Sequence, residues 1–291
     1  MSKTFLERLA AGETLVADGA TGTNLQAMGL GLGVPPEEWV MDEPEKILAL
    51  HRAFVDAGSD IILTCTFGGT RLRLRESKYL ERVVELNQRA AQLACKAAQG
   101  RALVAGSMGP TGLLVEPLGE LTHDQVADAY AEQATALEQG GADLLLLETF
   151  FAMEEAQAAI DGAQRACQLP LVVSFSYDQA GKTMMGLSPS QVARALAPRG
   201  VAAIGANCGK SLDEMEKVLA EYAALNLGIP LWIKPNAGLP RMDGDHSVYD
   251  LTPAMMGEAI ARFVKMGARI VGGCCGNTPA HVAAIARAAR S

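Results

Sequence analysis

The chain has 291 residues, 49% hydrophobic and 20% charged, which is ample for a large folded core. A net charge of −8 argues against nucleic-acid binding. No run of residues approaches the ~20 apolar residues of a membrane span. The N-terminus contains acidic residues where a signal peptide would have its apolar run. We therefore expect a cytoplasmic protein without nucleic-acid or membrane partners, whose six cysteines are reduced thiols or metal ligands.

Eight short apolar runs rich in β-branched residues predict strands. Capped amphipathic segments between them predict a helix after each strand. Near-continuously apolar strands covered by helices indicate a parallel sheet, and eight such units close into a barrel. The sequence thus predicts an α/β fold, a single (β/α)8 TIM barrel over residues 1–291, with an open doubly wound sheet as the alternative. The predicted strands are 14–18, 60–66, 102–107, 143–148, 170–176, 201–208, 230–236 and 269–275.

Polar residues follow the carboxyl ends of these strands, where the chemistry of such barrels takes place. A single Ser or Thr there is explained as the start of a loop. The ring as a whole is not, and it predicts one polar mouth. Its members are Asp18, Gly19, Thr64, Cys65, Thr66, Ser107, Gly109, Glu148, Thr149, Ser174, Ser176, Asn207, Cys208, Asn236, Cys274 and Cys275.

Three cysteines end two predicted strands that lie two positions apart in the barrel. Cys208 ends the sixth strand, and Cys274 and Cys275 end the eighth. The two strand axes are separated by roughly 10 Å, which inward-reaching thiolates can span. Zinc with three protein ligands keeps a fourth position for substrate. A thiol entering that position becomes a thiolate near neutral pH and can attack a methyl carbon, so the pattern predicts alkyl transfer to sulfur.

Other interpretations stay open at this stage. The Cys274-Cys275 pair is also compatible with small buried apolar residues, and Cys65 is an alternative third thiol. Histidines 51, 123, 246 and 281 are interpreted as surface or structural residues rather than ligands. No metalloprotease, Walker or Rossmann motif competes.

Glu148 and the segment 18–23 are candidates for binding an amino acid. A carboxylate at a barrel mouth can hold a substrate ammonium, although an internal ion pair explains Glu148 equally well. Asp18, Gly19 and the following residues combine an acid with backbone N–H groups that can receive a carboxylate, although simple turn geometry is the alternative.

At these residues the sequence resembles the homocysteine S-methyltransferase (homocysteine-binding domain) family. Within that family the resemblance is strongest to the N-terminal homocysteine-binding barrel of cobalamin-dependent methionine synthases. The resemblance implies zinc on Cys208, Cys274 and Cys275, homocysteine sulfur as the incoming ligand, and Asp18, Gly19, Thr66 and Glu148 around its amino-acid end. It also implies that Asn236 occupies the fourth zinc position until substrate arrives. The resemblance is carried by DGATGTNLQ (18–26), HRAFVDAGSDIILTCTFG (51–68), VAGSMGPTG (104–112), GGADLLLLETFF (140–151), VSFSYDQAGKTMMGLSP (173–189), GANCG (205–209), KPNAGLP (234–240) and GGCCGNTPAHV (272–282).

Two departures from the family pattern bear on the substrates. The chain stops after the eighth predicted helix, so the resemblance implies methylcobalamin carried on a separate corrinoid protein as the methyl donor. Cys65 stands where many relatives have asparagine, and Gly209-Lys210 replaces a small polar turn. Because both changes lie near the mouth, an acceptor thiol other than homocysteine is an open alternative. A small donor such as S-methylmethionine or betaine is the remaining alternative. The low aromatic content, 5%, argues against a betaine site.

Overall fold

The computed structural model describes residues 3–243 and 246–291, and it contains all eight predicted strands. An additional antiparallel hairpin, β8 and β9, follows β7 and was not predicted. The eighth barrel strand is therefore β10. The strands are β1 (Leu15–Val16), β2 (Ile61–Leu63), β3 (Leu103–Met108), β4 (Leu144–Phe150), β5 (Leu171–Phe175), β6 (Ala203–Cys208), β7 (Leu231–Pro235), β8 (Arg241–Asp243), β9 (His246–Val248) and β10 (Ala268–Val271).

Helices connect consecutive barrel strands, and several begin at the predicted caps. Thr122 accepts a hydrogen bond from the backbone of Gln125 at the start of α6, and Thr278-Pro279 opens α11. The helices are α1 (Phe5–Ala10), α2 (Thr21–Ala27), α3 (Trp39–Asp42), α4 (Pro44–Asp56), α5 (Val83–Ala98), α6 (His123–Gln139), α7 (Met153–Ala166), α8 (Pro189–Leu196), α9 (Leu212–Ala224), α10 (Pro253–Lys265) and α11 (Pro279–Ala289).

The parallel sheet has the strand order β1-β10-β7-β6-β5-β4-β3-β2. A parallel bridge between Ala17 and Ile61 joins β1 to β2, and the Asp60 backbone N–H donates to Val16 O. These contacts bring the two edges together, so the (β/α)8 barrel prediction is confirmed and the open sheet is excluded.

Alternation along the strands divides the core into two apolar layers. Leu144 and Leu146 of β4 face the barrel interior, whereas Leu145 and Leu147 pack against the helices. Trp232 of β7 is the largest side chain of the interior layer. The interior is therefore filled below the mouth, and the space for a ligand lies above this layer.

Helix α1 precedes the first strand and was not predicted. A capping box at Thr4 and Glu7 begins it, and Phe5, 1% exposed, belongs to the interior apolar cluster with Leu15 and Trp232. The helix therefore contributes to the barrel core from the end at which the strands begin. Within the described residues, no helix combines the length and apolar character needed to cross a bilayer.

Candidate active site

Strand alternation carries polar side chains into the upper layer of the barrel interior. Glu148 is in phase with Leu144 and Leu146, and Lys234 is in phase with Trp232, so both face inward. By the same alternation Ser107, Ser174 and Asn207 lie above the inward residues Ala105, Val172 and Ala203. All five are buried, and they form the polar floor of the mouth.

The structure brings Cys208, Cys274 and Cys275 together. The three sulfur atoms lie within 4.8 Å of one another, and the Sγ atoms of Cys208 and Cys274 are 3.1 Å apart. Cys208 has φ of +61°, a left-handed conformation that L residues seldom adopt outside functional or turn positions. This conformation ends β6 next to Gly209, the residue at which the chain leaves the strand.

Backbone contacts from β7 hold the second cysteine loop. The N–H of Cys274 donates to Pro235 O over 2.8 Å, and that of Cys275 donates to Asn236 Oδ1 over 3.0 Å. Asn236 in turn donates its amide to Gly209 O, 2.9 Å away. The Asn236 side chain thus joins the two cysteine loops through backbone atoms, and its role as a zinc ligand stays a prediction.

Close strand packing places the cysteines of β6 and β10 on either side of β7. A Cβ at Gly205 would stand 1.7 Å from Trp232 O, so only glycine allows β6 and β7 to approach this closely. The final predicted strand was too long, because β10 ends at Val271, residues 272–274 are irregular and a turn follows at 275–276. Asn277 stabilises this turn by donating to Pro235 O and Cys274 O.

Asn207 and Thr149 support the sulfur cluster from below. Asn207 Nδ2 donates to Thr149 Oγ1 over 2.7 Å and lies 3.6 and 3.7 Å from the sulfurs of Cys208 and Cys274. Its Oδ1 accepts from Ser174 Oγ and from the Thr149 backbone. Both ends of the amide are therefore engaged, and its orientation toward the sulfurs is determined by the polar floor.

Hydrogen bonds among the three thiols separate their acidities. The neighbouring Cys208 and Cys274 thiols lower the pKa of Cys275 below its usual value. The interaction with Cys274 and burial raise the pKa of Cys208 well above its usual value. Cys275 is therefore the thiol of the three that ionises most readily, and a thiolate is the ligand form required by a soft or borderline metal ion.

Glu148 lies beside this cluster in a nearly dry environment. Its side chain is 7% exposed, and its Oε1 accepts a hydrogen bond from Ser107 Oγ over 2.5 Å. Burial raises the pKa of Glu148 to about 7, although the Lys234 ammonium acts in the opposite direction. Among the described residues Oε2 has no hydrogen-bond partner, so this oxygen is available to a ligand.

Asp18 and Lys234 form a buried ion pair next to Glu148. Lys234 Nζ donates to Asp18 Oδ1 over 3.0 Å, and Asp18 Oδ2 accepts from the Leu63 backbone over 2.8 Å. Burial disfavours the charged amine, yet the neighbouring carboxylates raise the pKa of Lys234 overall. Lys234 is therefore a cation, and Asp18 is already occupied by protein donors.

Thr66 and Gly19 complete the wall. Thr66 Oγ1 donates to Ser107 O over 2.7 Å and contacts Thr64 Oγ1. A Cβ at Gly19 would stand 2.5 Å from Asn277 O, so glycine is required there. Cys65 lies apart from the other thiols, with its sulfur 3.4 Å from Pro36 O.

These residues surround a cavity of about 620 Å³. Its wall includes Gly19, Thr66, Glu148, Lys234 and all three clustered cysteines. Of the eight residues predicted to bind metal or substrate, Asp18 and Asn236 lie behind the wall rather than in it. Asn207 was predicted as a member of the mouth without a specific role, whereas Lys234 was missed. The signal for Lys234 was available, because a lysine within the apolar run PLWIKPN is in phase with an inward tryptophan.

The interpretation of the histidines is supported for the described side chains. His123 contacts Asp161, and His51 is buried in α4. His281 accepts a hydrogen bond from the Thr278 backbone at the start of α11 and donates to Leu251 O. None of these three belongs to the sulfur cluster. The side chain of His246 lies outside the described residues.

A model of the homocysteine S-methyltransferase family matches residues 15–289. The chain belongs to this family. It is 33% identical to a methionine synthase of Mycobacterium tuberculosis over 94% of the chain, and 34% identical to that of Mycobacterium leprae over 98%. The resemblance read from the motifs is thereby confirmed, as is the assignment to a methyltransferase family.

Solved structures agree with the fold. The metallated form of the homocysteine methyltransferase MmuM from Escherichia coli superposes with a TM-score of 0.81 at 25% identity, covering 97% of this chain and 98% of that one. In contrast, the chain spans only 24% and 25% of the lengths of the two mycobacterial methionine synthases.

Proposed function

We propose that this chain transfers a methyl group to the sulfur of homocysteine, giving methionine, with zinc held by Cys208, Cys274 and Cys275. The observation that carries the proposal is the convergence of three sulfurs in the wall of a cavity large enough for an amino-acid thiol. We infer that residues 1–291 act as one domain, and a cytoplasmic location stays a prediction from the sequence.

The donor set fits zinc. Three sulfurs at the 2.3 Å zinc–sulfur distance in tetrahedral geometry are about 3.8 Å apart, and the observed sulfurs all lie within 4.8 Å of one another. Adjustments of side-chain torsions are enough to reach this spacing. When bound, zinc supplies a Lewis acid that lowers the pKa of an acceptor thiol.

The chain's own residues then bind and orient the acceptor. Glu148, with one free carboxylate oxygen, is suited to the substrate ammonium, as expected from the sequence. Thr66 and Gly19 line the same cavity and limit its shape around the amino-acid end. Asn207 donates toward two of the sulfurs, which stabilises their negative charge.

We propose a methylcorrinoid protein as the methyl donor. Eight of the twelve exposed large hydrophobic side chains among the described residues lie on loops that follow barrel strands, around the mouth, where a protein donor would dock. We call this group the apolar rim; it consists of Leu32, Val34, Phe67, Leu114, Leu118, Met184, Met185 and Leu239.

A small diffusible donor is the second candidate, because the solved chain of the homocysteine methyltransferase MmuM consists almost entirely of the matched barrel. A sulfonium or quaternary ammonium donor usually requires aromatic walls. Phe67 is the one aromatic residue among the described cavity-lining residues, so we rank S-methylmethionine and betaine below the corrinoid protein. Methylation of a different thiol from the same corrinoid donor is the remaining alternative.

The proposal is tested first by metal content. We expect one zinc per chain in the wild type and near-complete loss of zinc in Cys208→Ala, Cys274→Ala and Cys275→Ala, measured by elemental analysis. All three variants should remain folded by circular dichroism, because the sulfurs lie above the apolar core. Cys95→Ala is the matched control, since Cys95 lies on α5 outside the cluster.

X-ray absorption at the zinc edge and a donor assay complete the test. Addition of homocysteine should add a sulfur to the zinc environment. Methylcobalamin on a carrier protein, S-methylmethionine and betaine are then compared as donors with homocysteine as acceptor. Full zinc occupancy in any of the three cysteine variants would remove that residue from the ligand set.

A further inference from the structure

Lys234 is an unusual residue for the interior of a barrel. Its side chain is 2% exposed, it lies one inward position above Trp232, and it lines the cavity together with Glu148 and Cys274. Lysine is among the residues least often buried, because removing an ammonium from water is costly unless it is paired. A ligand in the cavity therefore meets a desolvated cation.

The pairing within the protein is incomplete. An ammonium carries three N–H donors. Among the described residues, Nζ of Lys234 makes one hydrogen bond, to Asp18 Oδ1. Asp18 is also engaged by the Leu63 backbone, and Glu148 Oε1 is engaged by Ser107. Among these charged groups of the described residues, the remaining hydrogen-bonding capacity is thus at the donors of Lys234 and at Oε2 of Glu148.

We propose that Lys234 binds the carboxylate of the acceptor thiol while Glu148 binds its ammonium, so that Lys234 selects for α-amino acid thiols. This inference rests on the proposed function, since it concerns the substrate of the same site. With an amino acid bound, opposite charges alternate from Asp18 through Lys234, the substrate carboxylate and the substrate ammonium to Glu148. Each buried charge then has an oppositely charged neighbour.

Two other assignments compete with this one. The backbone N–H groups of residues 19–23 would bind the carboxylate without Lys234, or Lys234 would serve only as the counter-ion of Asp18. Both predict that removal of the ammonium has no particular effect on thiols that carry a carboxylate. Substrates that lack one charged group therefore separate the proposal from both of these assignments.

The experiment measures dissociation constants by calorimetry for three thiols binding to the zinc-loaded protein. The thiols are homocysteine, 4-sulfanylbutanoate, which lacks the ammonium, and 3-aminopropane-1-thiol, which lacks the carboxylate. In Lys234→Met we expect homocysteine and 4-sulfanylbutanoate to bind roughly 10- to 100-fold more weakly, the usual loss for a buried charged hydrogen bond. Binding of 3-aminopropane-1-thiol should change by less than about threefold.

Glu148→Gln should give the opposite pattern, because it should weaken the binding of the two thiols that carry an ammonium. Lys217→Met is the control, because Lys217 is exposed on α9. If Lys234→Met leaves Asp18 as an unpaired charge and does not fold, the double variant Asp18→Asn, Lys234→Met removes both charges and should show the same pattern.

If Lys234→Met weakened the binding of all three thiols equally, or of none of them, the assignment would be overturned. Zinc content is measured in each variant, so that loss of metal is not mistaken for loss of the carboxylate contact. If the wild type shows the expected binding pattern but methylates no thiol, the proposed function fails while the role of Lys234 stands.

Discussion

At the scale of single residues, charge placement rather than shape distinguishes this cavity. The floor residues Glu148 and Lys234, with the adjoining Asp18, place two acids and one base directly above the layer filled by Leu, Val and Trp side chains. Burial raises the pKa of Glu148 to about 7, and the Lys234 ammonium keeps it from rising further. The same two residues are the groups that still have hydrogen-bonding capacity for a substrate.

His51 is a further buried ionisable residue, and it affects stability rather than binding. It is 1% exposed in α4, and neither ring nitrogen has a partner. Burial lowers its pKa from 6.5 to about 4. The neutral ring is therefore the folded form, and the unfolded chain takes up a proton first as pH falls.

We therefore predict that stability is lost as pH falls from 6.5 toward about 4, and that His51 accounts for on the order of 3 kcal/mol of this loss. The substitution His51→Leu should flatten this acid-side dependence. The free energy of unfolding of both proteins is measured by urea unfolding at pH 7 and pH 4.5. A variant that loses as much stability as the wild type between these pH values would contradict the prediction.

At the scale of elements, the contact between β6 and β7 determines where the cysteines lie. Gly205 pairs with Trp232, and three residues further along β6 Cys208 pairs with Pro235. Because Pro235 O and Asn236 also bind the 274–275 turn, β7 is the common support of both cysteine loops. A change in the spacing of these two strands is therefore transmitted to the sulfur cluster.

Gly205→Ala tests this coupling. The new methyl group would overlap the Trp232 carbonyl at 1.7 Å, so we expect a loss of about 3 kcal/mol and weaker zinc retention. Thermal unfolding and elemental analysis measure the two effects. In Gly257→Ala, the control on α10, the nearest atom is 3.4 Å away, and stability should change by no more than about 1 kcal/mol.

At the scale of the whole molecule, the exposed apolar side chains are unevenly distributed. Leu118 and Met184 of the apolar rim are 60% and 63% exposed on the loops after β3 and β5. Such clustering around a mouth is typical of an interaction surface, whereas isolated exposed leucines are common anywhere. The rim is thus the surface on which we expect the donor protein.

We predict that Leu118→Asp combined with Met184→Asp lowers methyl transfer from the corrinoid protein by at least about tenfold, because a charge is placed in an apolar contact. Homocysteine affinity should stay unchanged, as neither residue lines the cavity. Leu227→Asp, on the loop before β7 at the other end of the barrel, is the control. Unchanged transfer in the double variant would place the docking surface elsewhere.

The sequence alone determined the barrel, the number of its strands and the family, because these depend on local patterns. An apolar run, a cap or a motif such as GGCCG is read from neighbouring residues. The cysteines could be selected for the same reason, since strand ends of one barrel converge on one mouth. The structure places them as close as this argument required.

Only the tertiary structure decided which polar residues meet and with what charge. Asp18 and Lys234 are 216 residues apart, and no local pattern indicates that they form a pair. The left-handed turn at Cys208, the contribution of α1 to the barrel core and the β8–β9 hairpin likewise escaped the sequence analysis. Pairing of distant strands and the desolvation of their side chains arise only when the barrel closes, and these set the chemistry of the floor.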